Sequence, residues 1–219
     1  LEPIVLPLDL SRPEEMGGKT EQALKLLGGA SIDILINNGG VSSRALAEDM
    51  RWDVDQSIMT VNYIGPVALT KAVLPGMLAA GGGHIVMVSS VQGLIGLPGR
   101  TAYSASKHAA HGFFDGLRAE VASRGVGVTL ICPGYVKTDL SLNAVTAEGG
   151  KHGEMDETTA KGMDPAALAQ RALLAIARRE SQVTIAKDAS AHVAPYLRAL
   201  APSVLEWVMR KRAKKLLKS

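Results

Sequence analysis

The chain has 219 residues, 47% of them hydrophobic and 23 of them glycine, which suits one globular α/β domain. A single cysteine, Cys132, excludes an internal disulfide framework and a cysteine-rich zinc site. Six of the 24 basic residues lie in 210–219, and the other 18 are outnumbered by 21 acidic residues, so the net charge of +3 does not predict a nucleic-acid-binding face. We find no signal peptide and expect no apolar run long enough to span a bilayer.

Apolar runs typical of buried strands alternate along the chain with helical patterns. The strand-like runs are residues 4–8, 32–36, 85–88, 126–132 and 182–186. The helical patterns cover about 52–78, 102–123 and 166–179. This alternation predicts an α/β domain in which loops at strand ends carry the functional residues.

The second strand-like run ends in Asn37-Asn38-Gly39-Gly40. Two asparagines and two glycines allow the backbone to turn sharply beside a flat ligand. An ordinary turn explains the same four residues, so both interpretations stay open from the residues alone.

The helical pattern 52–78 contains a proline, Pro66, in its interior. Proline has no N–H group, so Pro66 leaves the carbonyl of Asn62, four residues earlier, without its helical hydrogen bond. We expect a kink at this point. The free carbonyl is available for function, or the kink only fits the helix to the sheet.

The segment 89–107 brings three chemically related side chains together. Ser90 follows the third strand-like run, and the next helix carries Tyr103 and Lys107. Residues four apart on a helix share a face, so the phenol and the ammonium point into the same space. A neighbouring cation favours the phenolate and predicts a pKa for Tyr103 below its usual value of about 10, which suits proton transfer at a carbonyl or alcohol oxygen. The alternative is a chance surface pair.

These residues resemble the active-site segment of the short-chain dehydrogenase/reductase superfamily, and the resemblance extends over nearly the whole chain. It implies a Rossmann-like, doubly wound parallel sheet with helices on both faces. It also implies hydride transfer between NAD or NADP and a small-molecule carbonyl or secondary alcohol. The implied catalytic residues are Asn62, whose main-chain carbonyl holds a relay water, Ser90, Tyr103 and Lys107, and of these Ser90 and Tyr103 also bind the substrate.

The resemblance also implies a set of cofactor-binding residues. They are Asp9, Leu10, Asn37, Asn38, Gly39, Tyr103, Lys107, Pro133, Gly134 and Thr138. Gly39 stands where the superfamily has alanine in its Asn-Asn-Ala-Gly segment, a mild departure. Thr138 supplies a hydroxyl for the carboxamide or a nearby phosphate, or else it caps a helix. No metal is expected, because His108 and His111 lie three residues apart without a third ligand.

One feature of the superfamily is missing from the sequence. A dinucleotide-binding fold opens with a strand, a Gly-x-x-x-Gly-x-Gly loop and a helix, and no such loop occurs here. By the resemblance, run 4–8 is the third strand of the fold, so the first two strands and the residue that selects NAD or NADP are lost. We therefore expect 1–193 to be a truncated domain, with an unpaired edge at strand 32–36. The alternative function is a catalytically silent fragment that acts through protein or membrane contacts.

Residues 194–219 form an amphipathic segment with a basic C-terminal tail. Its apolar members are Leu197, Leu200, Val204, Leu205, Val208 and Leu216. Such a helix can lie on an anionic membrane surface. The alternative is that its apolar face packs on the domain or on a partner subunit.

Four further motifs resemble one membrane-bound type within the superfamily. They are residues 65–71, 102–108, 143–147 and 200–202. This resemblance implies a lipid-like substrate and a location at the endoplasmic reticulum or peroxisomal membrane, through an N-terminal anchor helix that this chain does not contain. Because the superfamily often forms dimers and tetramers, a homo-oligomer is also expected.

Overall fold

The computed structural model describes residues 2–218. The helices are α1 (Met16–Leu26), α2 (Trp52–Met59), α3 (Gly65–Ala79), α4 (Thr101–Val121), α5 (Glu157–Ala160), α6 (Pro165–Ala177), α7 (Ala189–Leu200) and α8 (Pro202–Leu216). The strands are β1 (Ile34–Asn37), β2 (Gly83–Val88), β3 (Val126–Pro133) and β4 (Gln182–Ile185). Four of the five predicted strands are therefore present, with the predicted helices between them.

The four strands form one parallel sheet in the order β1-β2-β3-β4. Within the described residues β1 pairs only with β2, and its Ile34 and Ile36 are 50% and 49% exposed. This confirms the unpaired edge predicted for this strand. Because all four strands run the same way, their carboxyl ends meet at one edge of the sheet, where open α/β sheets bind ligands.

Helices cover both faces of the sheet. On one face Ile85 and Met87 of β2 pack with Phe114 of α4, and on the other face Val86 packs with Ile176 of α6. Successive side chains of a strand point to opposite faces, which explains why an uninterrupted apolar run is needed here. The predicted α/β architecture with a doubly wound parallel sheet is confirmed.

The strand predicted for residues 4–8 is wrong. The segment has no regular secondary structure and joins no sheet, and Val5 is 85% exposed. A strand is stabilised by hydrogen bonds to a neighbour, and no described strand lies beside this segment. Leu10, two residues after the segment, packs closely on α3: a β-carbon added to Gly65 would lie 2.3 Å from the carbonyl oxygen of Leu10, so glycine permits that close approach.

The predicted helix 52–78 is one nearly continuous helical stretch with an irregular middle. The expected disturbance near Pro66 is a π-helical turn, Thr60–Ile64, which widens the helix just before the proline. Contrary to expectation, this 28-residue stretch is long and apolar enough to cross a membrane. Val73 and Met77 are buried against the sheet, however, so it packs as a core helix of the domain.

The C-terminal segment is two helices rather than one. Ala201 separates α7 from α8, and it precedes Pro202, whose ring disfavours helical geometry in the residue before it. Leu205 of α8 is buried against Leu97 in the loop between β2 and α4, so part of the apolar face packs on the domain. The boundary predicted between 193 and 194 falls inside α7.

Candidate active site

A cleft of about 460 Å³ opens at the carboxyl ends of β1, β2 and β3. We call it the catalytic cleft, because Ser90, Tyr103 and Lys107 all line it. Ser90 is the second residue after β2, and the other two side chains lie one turn apart on α4. The structure thus brings together a hydroxyl from a strand end and a phenol and an amine from a helix, as the sequence pattern requires.

Ser90 is fixed at the start of the turn 91–93. Its Oγ accepts a hydrogen bond from the N–H of Gln92 at 3.1 Å and lies 3.5 Å from the carbonyl oxygen of Pro133. The hydroxyl is buried but faces the cleft. A hydroxyl held in this way can orient the oxygen of a bound carbonyl or alcohol.

Lys107 is buried beneath the cleft. Its Nζ donates a hydrogen bond to the carbonyl oxygen of Val88 at 3.0 Å and lies 5.8 Å from the ring centre of Tyr103. Burial lowers the pKa of Lys107 to about 8, and a small coulombic contribution from Cys132 opposes this shift. The ammonium is therefore still mostly protonated at pH 7, close to the phenol.

The expected lowering of the Tyr103 pKa is wrong for this structure. Burial raises that pKa, because the charged phenolate loses solvation. A hydrogen bond with Ser90 and the positive charges of Arg100 and Arg44 lower it, but burial is the larger effect. Tyr103 is thus a protonated phenol at neutral pH, the form that donates a proton to a carbonyl oxygen.

Asn62 lies in the π-helical turn, and its side chain is completely buried. Its Oδ1 accepts the N–H of Val41 at 2.8 Å, and its Nδ2 donates to the carbonyl of Val41 at 2.9 Å and to Ser106 Oγ at 3.0 Å. Pro66 has no N–H to donate to the main-chain carbonyl of Asn62. The side chain thus clamps the loop after β1 to α4, a role that sequence reasoning did not assign.

The proposed cofactor-binding residues fall into two groups. Five of them line the catalytic cleft beside Tyr103 and Lys107: Asn38, Gly39, Pro133, Gly134 and Thr138. Three do not line it. Asn37 is buried and donates from Nδ2 to Thr70 Oγ1 at 3.0 Å, Leu10 packs against Gly39, and the Asp9 carboxylate accepts hydrogen bonds from Ser11.

The cleft fits the nicotinamide half of NAD or NADP. The side-chain oxygens Ser89 Oγ and Gln92 Oε1 are buried without a hydrogen-bond partner among residues 2–218, and both residues line the cleft. Gly40 also lines the cleft, and a β-carbon there would lie 3.0 Å from Asn62 Oδ1 and 3.5 Å from Lys107 Nζ. Glycine therefore leaves space beside these two side chains. Unpaired buried polar atoms and a flat glycine wall suit a planar ring with a carboxamide.

An ion-pair network that the sequence did not reveal adjoins the cleft, since Arg44 and Arg100 line it. Asp156 pairs with both Arg44 and Arg100, and all three side chains are less than 20% exposed. Burial would raise the pKa of Asp156, but hydrogen bonding and charge from Arg44 and the charge of Arg100 lower it on balance. The network ties the loop before α5 to the start of α4. Arg100 directly precedes α4, and its partner Asp156 lies 56 residues away in sequence, so no local pattern indicates this pairing.

A second cavity of about 350 Å³ opens next to Ser90. We call it the apolar cavity, since its walls are mainly Ile95, Leu97, Ala194, Leu205 and Met209. The C-terminal helices α7 and α8 form one of its sides. The cavity can therefore accept an apolar part of a molecule whose polar part reaches Ser90.

Comparison with known proteins identifies the family. The family model described as short chain dehydrogenase matches residues 2–149. The chain belongs to the short-chain dehydrogenase/reductase family. It is 48% identical over 217 residues to dehydrogenase/reductase SDR family member 7B of Bos taurus, covering 99% of this chain and 66% of that protein. The chain thus spans about two thirds of the length of the curated relatives it matches (65% and 66% for two of them).

Solved structures agree with this assignment. A short-chain dehydrogenase from Streptomyces avermitilis superposes with a TM-score of 0.78 at 27% identity, covering 94% of this chain and 79% of that one. ElxO, solved with NADP bound, superposes with a TM-score of 0.57 at 30% identity, covering 60% of this chain and 53% of that one. The family and this NADP-bound structural neighbour support NAD or NADP as the cofactor, without deciding between them.

Proposed function

We propose that this chain carries the catalytic centre of an NAD(P)-dependent oxidoreductase that interconverts a carbonyl and a secondary alcohol. The observation that carries the proposal is the convergence of Ser90, Tyr103 and Lys107 on one cleft with unpaired polar atoms and a glycine wall. The nicotinamide, when bound, supplies or accepts the hydride at C4. Asn38, Gly39, Pro133, Gly134 and Thr138 would hold it.

The residues of the chain perform the proton chemistry. Tyr103 donates its hydroxyl proton to the substrate oxygen in reduction and takes it back in oxidation. Ser90 donates a hydrogen bond to the same oxygen, which fixes its position and stabilises the charge that develops on it. The Lys107 ammonium favours the phenolate after proton loss, and the Asn62 carbonyl holds the water through which the proton is replaced.

The alternative of a catalytically silent relative has less support. A silent relative has no need to keep a hydroxyl, a phenol and an amine in one solvent-accessible cleft. Cofactor binding separates the two proposals, because a silent relative would not bind a nicotinamide nucleotide tightly.

We propose a lipid-like substrate, because the apolar cavity adjoins Ser90 and is lined by aliphatic side chains. We also propose that α8 contacts an anionic membrane surface. Trp207 is 58% exposed, with Lys211 Nζ 3.5 Å from its ring centre, and the lysines of 210–218 follow. A homo-oligomer, and a location at the endoplasmic reticulum or peroxisomal membrane, stay predictions.

The test of the catalytic proposal is Tyr103→Phe in the full-length protein. Turnover of ketones with short and long alkyl chains is measured with NADH and NADPH, and cofactor binding is followed by nicotinamide fluorescence. We expect turnover to fall at least a thousandfold while cofactor affinity is kept, and kcat/KM of the wild type to rise with chain length. The exposed Tyr196→Phe is the matched control. Turnover that survives in Tyr103→Phe would refute the assignment.

A further inference from the structure

Gln92 is a polar residue between the catalytic cleft and the apolar cavity. It belongs to the turn 91–93, it is only 8% exposed, and it lines both spaces. Ser90 lines both spaces as well. A molecule whose reacting oxygen meets Ser90 therefore runs beside Gln92 where it extends into the apolar cavity.

The side-chain amide of Gln92 has a polar atom without a partner. Its Oε1 is buried and makes no hydrogen bond to any of residues 2–218. The hydrogen bond that links Gln92 to Ser90 uses the main-chain N–H instead. Buried polar groups are nearly always paired, so an unpaired amide at the junction of two cavities is expected to meet a polar group of a ligand.

The other unpaired oxygen of the cleft occupies a different position. Ser89 Oγ also makes no hydrogen bond to residues 2–218, but Ser89 lines the catalytic cleft and not the apolar cavity. The same is true of Asn38 and Gly39, which we assign to the nicotinamide. Ser89 therefore belongs to the cofactor side of the cleft, whereas Gln92 belongs to the side on which the substrate continues into the apolar cavity.

The main chain holds Gln92 at a fixed place beside Ser90. The N–H of Gln92 donates to Ser90 Oγ at 3.1 Å, and the N–H of Gly93 donates to the carbonyl oxygen of Ser90 at 2.8 Å. Val91 of the same turn is buried in one apolar cluster with Leu205 of α8. Because the turn is already ordered, a ligand need not order it, and a group that reaches Gln92 lies within a few bonds of the oxygen at Ser90.

We propose that Gln92 determines substrate specificity by binding a hydroxyl group one or two carbons from the reacting carbonyl, on the side of the apolar cavity. This inference rests on the proposed oxidoreductase function and adds a substrate class, hydroxyketones with an apolar chain. A hydroxyl suits the amide because it can donate to the amide oxygen or accept from the amide nitrogen. The competing explanation is that a permanently bound water pairs with Oε1 and that Gln92 only fills space.

The experiment is equilibrium binding of three probes: methyl octyl ketone and its α-hydroxy and β-hydroxy derivatives, with the hydroxyl on the octyl side of the carbonyl. Isothermal titration calorimetry is done on the full-length protein with the tetrahydro form of NADH or NADPH, which cannot transfer a hydride. The variants are Gln92→Met, which keeps the side-chain length and the main-chain N–H, and the control Gln170→Met, which changes an exposed glutamine of α6. We expect at least one hydroxyketone to bind the wild type about tenfold or more tightly than the plain ketone, since a site that hydrogen-bonds a hydroxyl rejects an analogue without it.

We expect that advantage to fall about tenfold in Gln92→Met and to persist in Gln170→Met. Methionine fills the same space and removes an unpaired polar atom, so the melting temperature of Gln92→Met should equal that of the wild type. Equal binding of the three probes to the wild type, or an advantage that survives in Gln92→Met, overturns the proposal. Binding needs no turnover here, so a failed Tyr103→Phe test leaves the Gln92 result standing, and the reverse also holds.

Discussion

The side chain of Asn62 offers the sharpest test of how the active-site region is held together. Replacing Asn62 by Ala removes the hydrogen bonds to the N–H and the carbonyl of Val41 and to Ser106 Oγ. Ser106 keeps its own bond to the carbonyl of Tyr103 at 2.8 Å. The two backbone groups of Val41 have no other described hydrogen-bond partner, so leaving them unpaired accounts for most of the expected loss of stability.

The expected loss follows from these contacts. A hydrogen bond contributes roughly 1 kcal/mol net, and a buried group left unpaired costs about 1–3 kcal/mol. Three lost bonds at about 1 kcal/mol each, with the two partly buried backbone groups of Val41 left unpaired, give about 3–5 kcal/mol of unfolding free energy. For a domain of this size that corresponds to a melting temperature lower by roughly 10 °C.

The assay is urea unfolding followed by circular dichroism, with the denaturant slope compared between variants. Asn143→Ala is the matched control, because Asn143 is exposed and donates only to the carbonyl of Asp139. We expect the control to change stability by no more than about 0.5 kcal/mol. A loss of less than about 1 kcal/mol for Asn62→Ala would show that the clamp on Val41 is not what fixes this loop.

Two further predictions concern other parts of the chain. Burial lowers the pKa of His111 to about 4. Between about pH 6.5 and 4 the unfolded chain therefore binds more protons than the folded chain, and the stability of the fold falls as the pH falls. The urea midpoints at pH 4.5 and pH 7 should differ less in His111→Asn than in the wild type, and an unchanged difference would contradict this assignment. For α8, co-sedimentation with vesicles of phosphatidylcholine and phosphatidylserine should weaken in Trp207→Ala and in Lys211→Glu but not in Lys19→Glu, and binding insensitive to both changes would rule out this membrane contact.

Helix α4 and the pairing of its two candidate catalytic side chains were predictable, because neighbouring residues alone decide them. Tyr103 and Lys107 share a face through helix geometry alone. Ser90 follows β2, and the apolar run of that strand predicts that the strand is buried. Pro66 likewise predicted a disturbed helix, and the disturbance is a π-helical turn that contains Asn62. These are properties that a few neighbouring residues decide.

The failed predictions needed information from distant residues. Residues 4–8 have the composition of a strand, but a strand forms only by pairing with a neighbour, and these residues pair with no described strand. The sequence predicts a lowered pKa for Tyr103 because Lys107 is near, whereas burial in the folded domain raises that pKa. In both cases the local pattern is the same whether the surroundings are protein or solvent: residues 4–8 are predicted to be buried and are largely exposed, and Tyr103 is more buried than its neighbours in sequence indicate.

The sequence by itself thus determined the α/β alternation, the helical pairing of phenol and amine and the glycine-rich strand ends, since each depends on backbone geometry over a few residues. Only the tertiary structure decided that Asp156 meets Arg44, 112 residues away in sequence, and that α8 brings Arg212 to the same place. Chain folding sets such distances, and charge and burial act through distance in space.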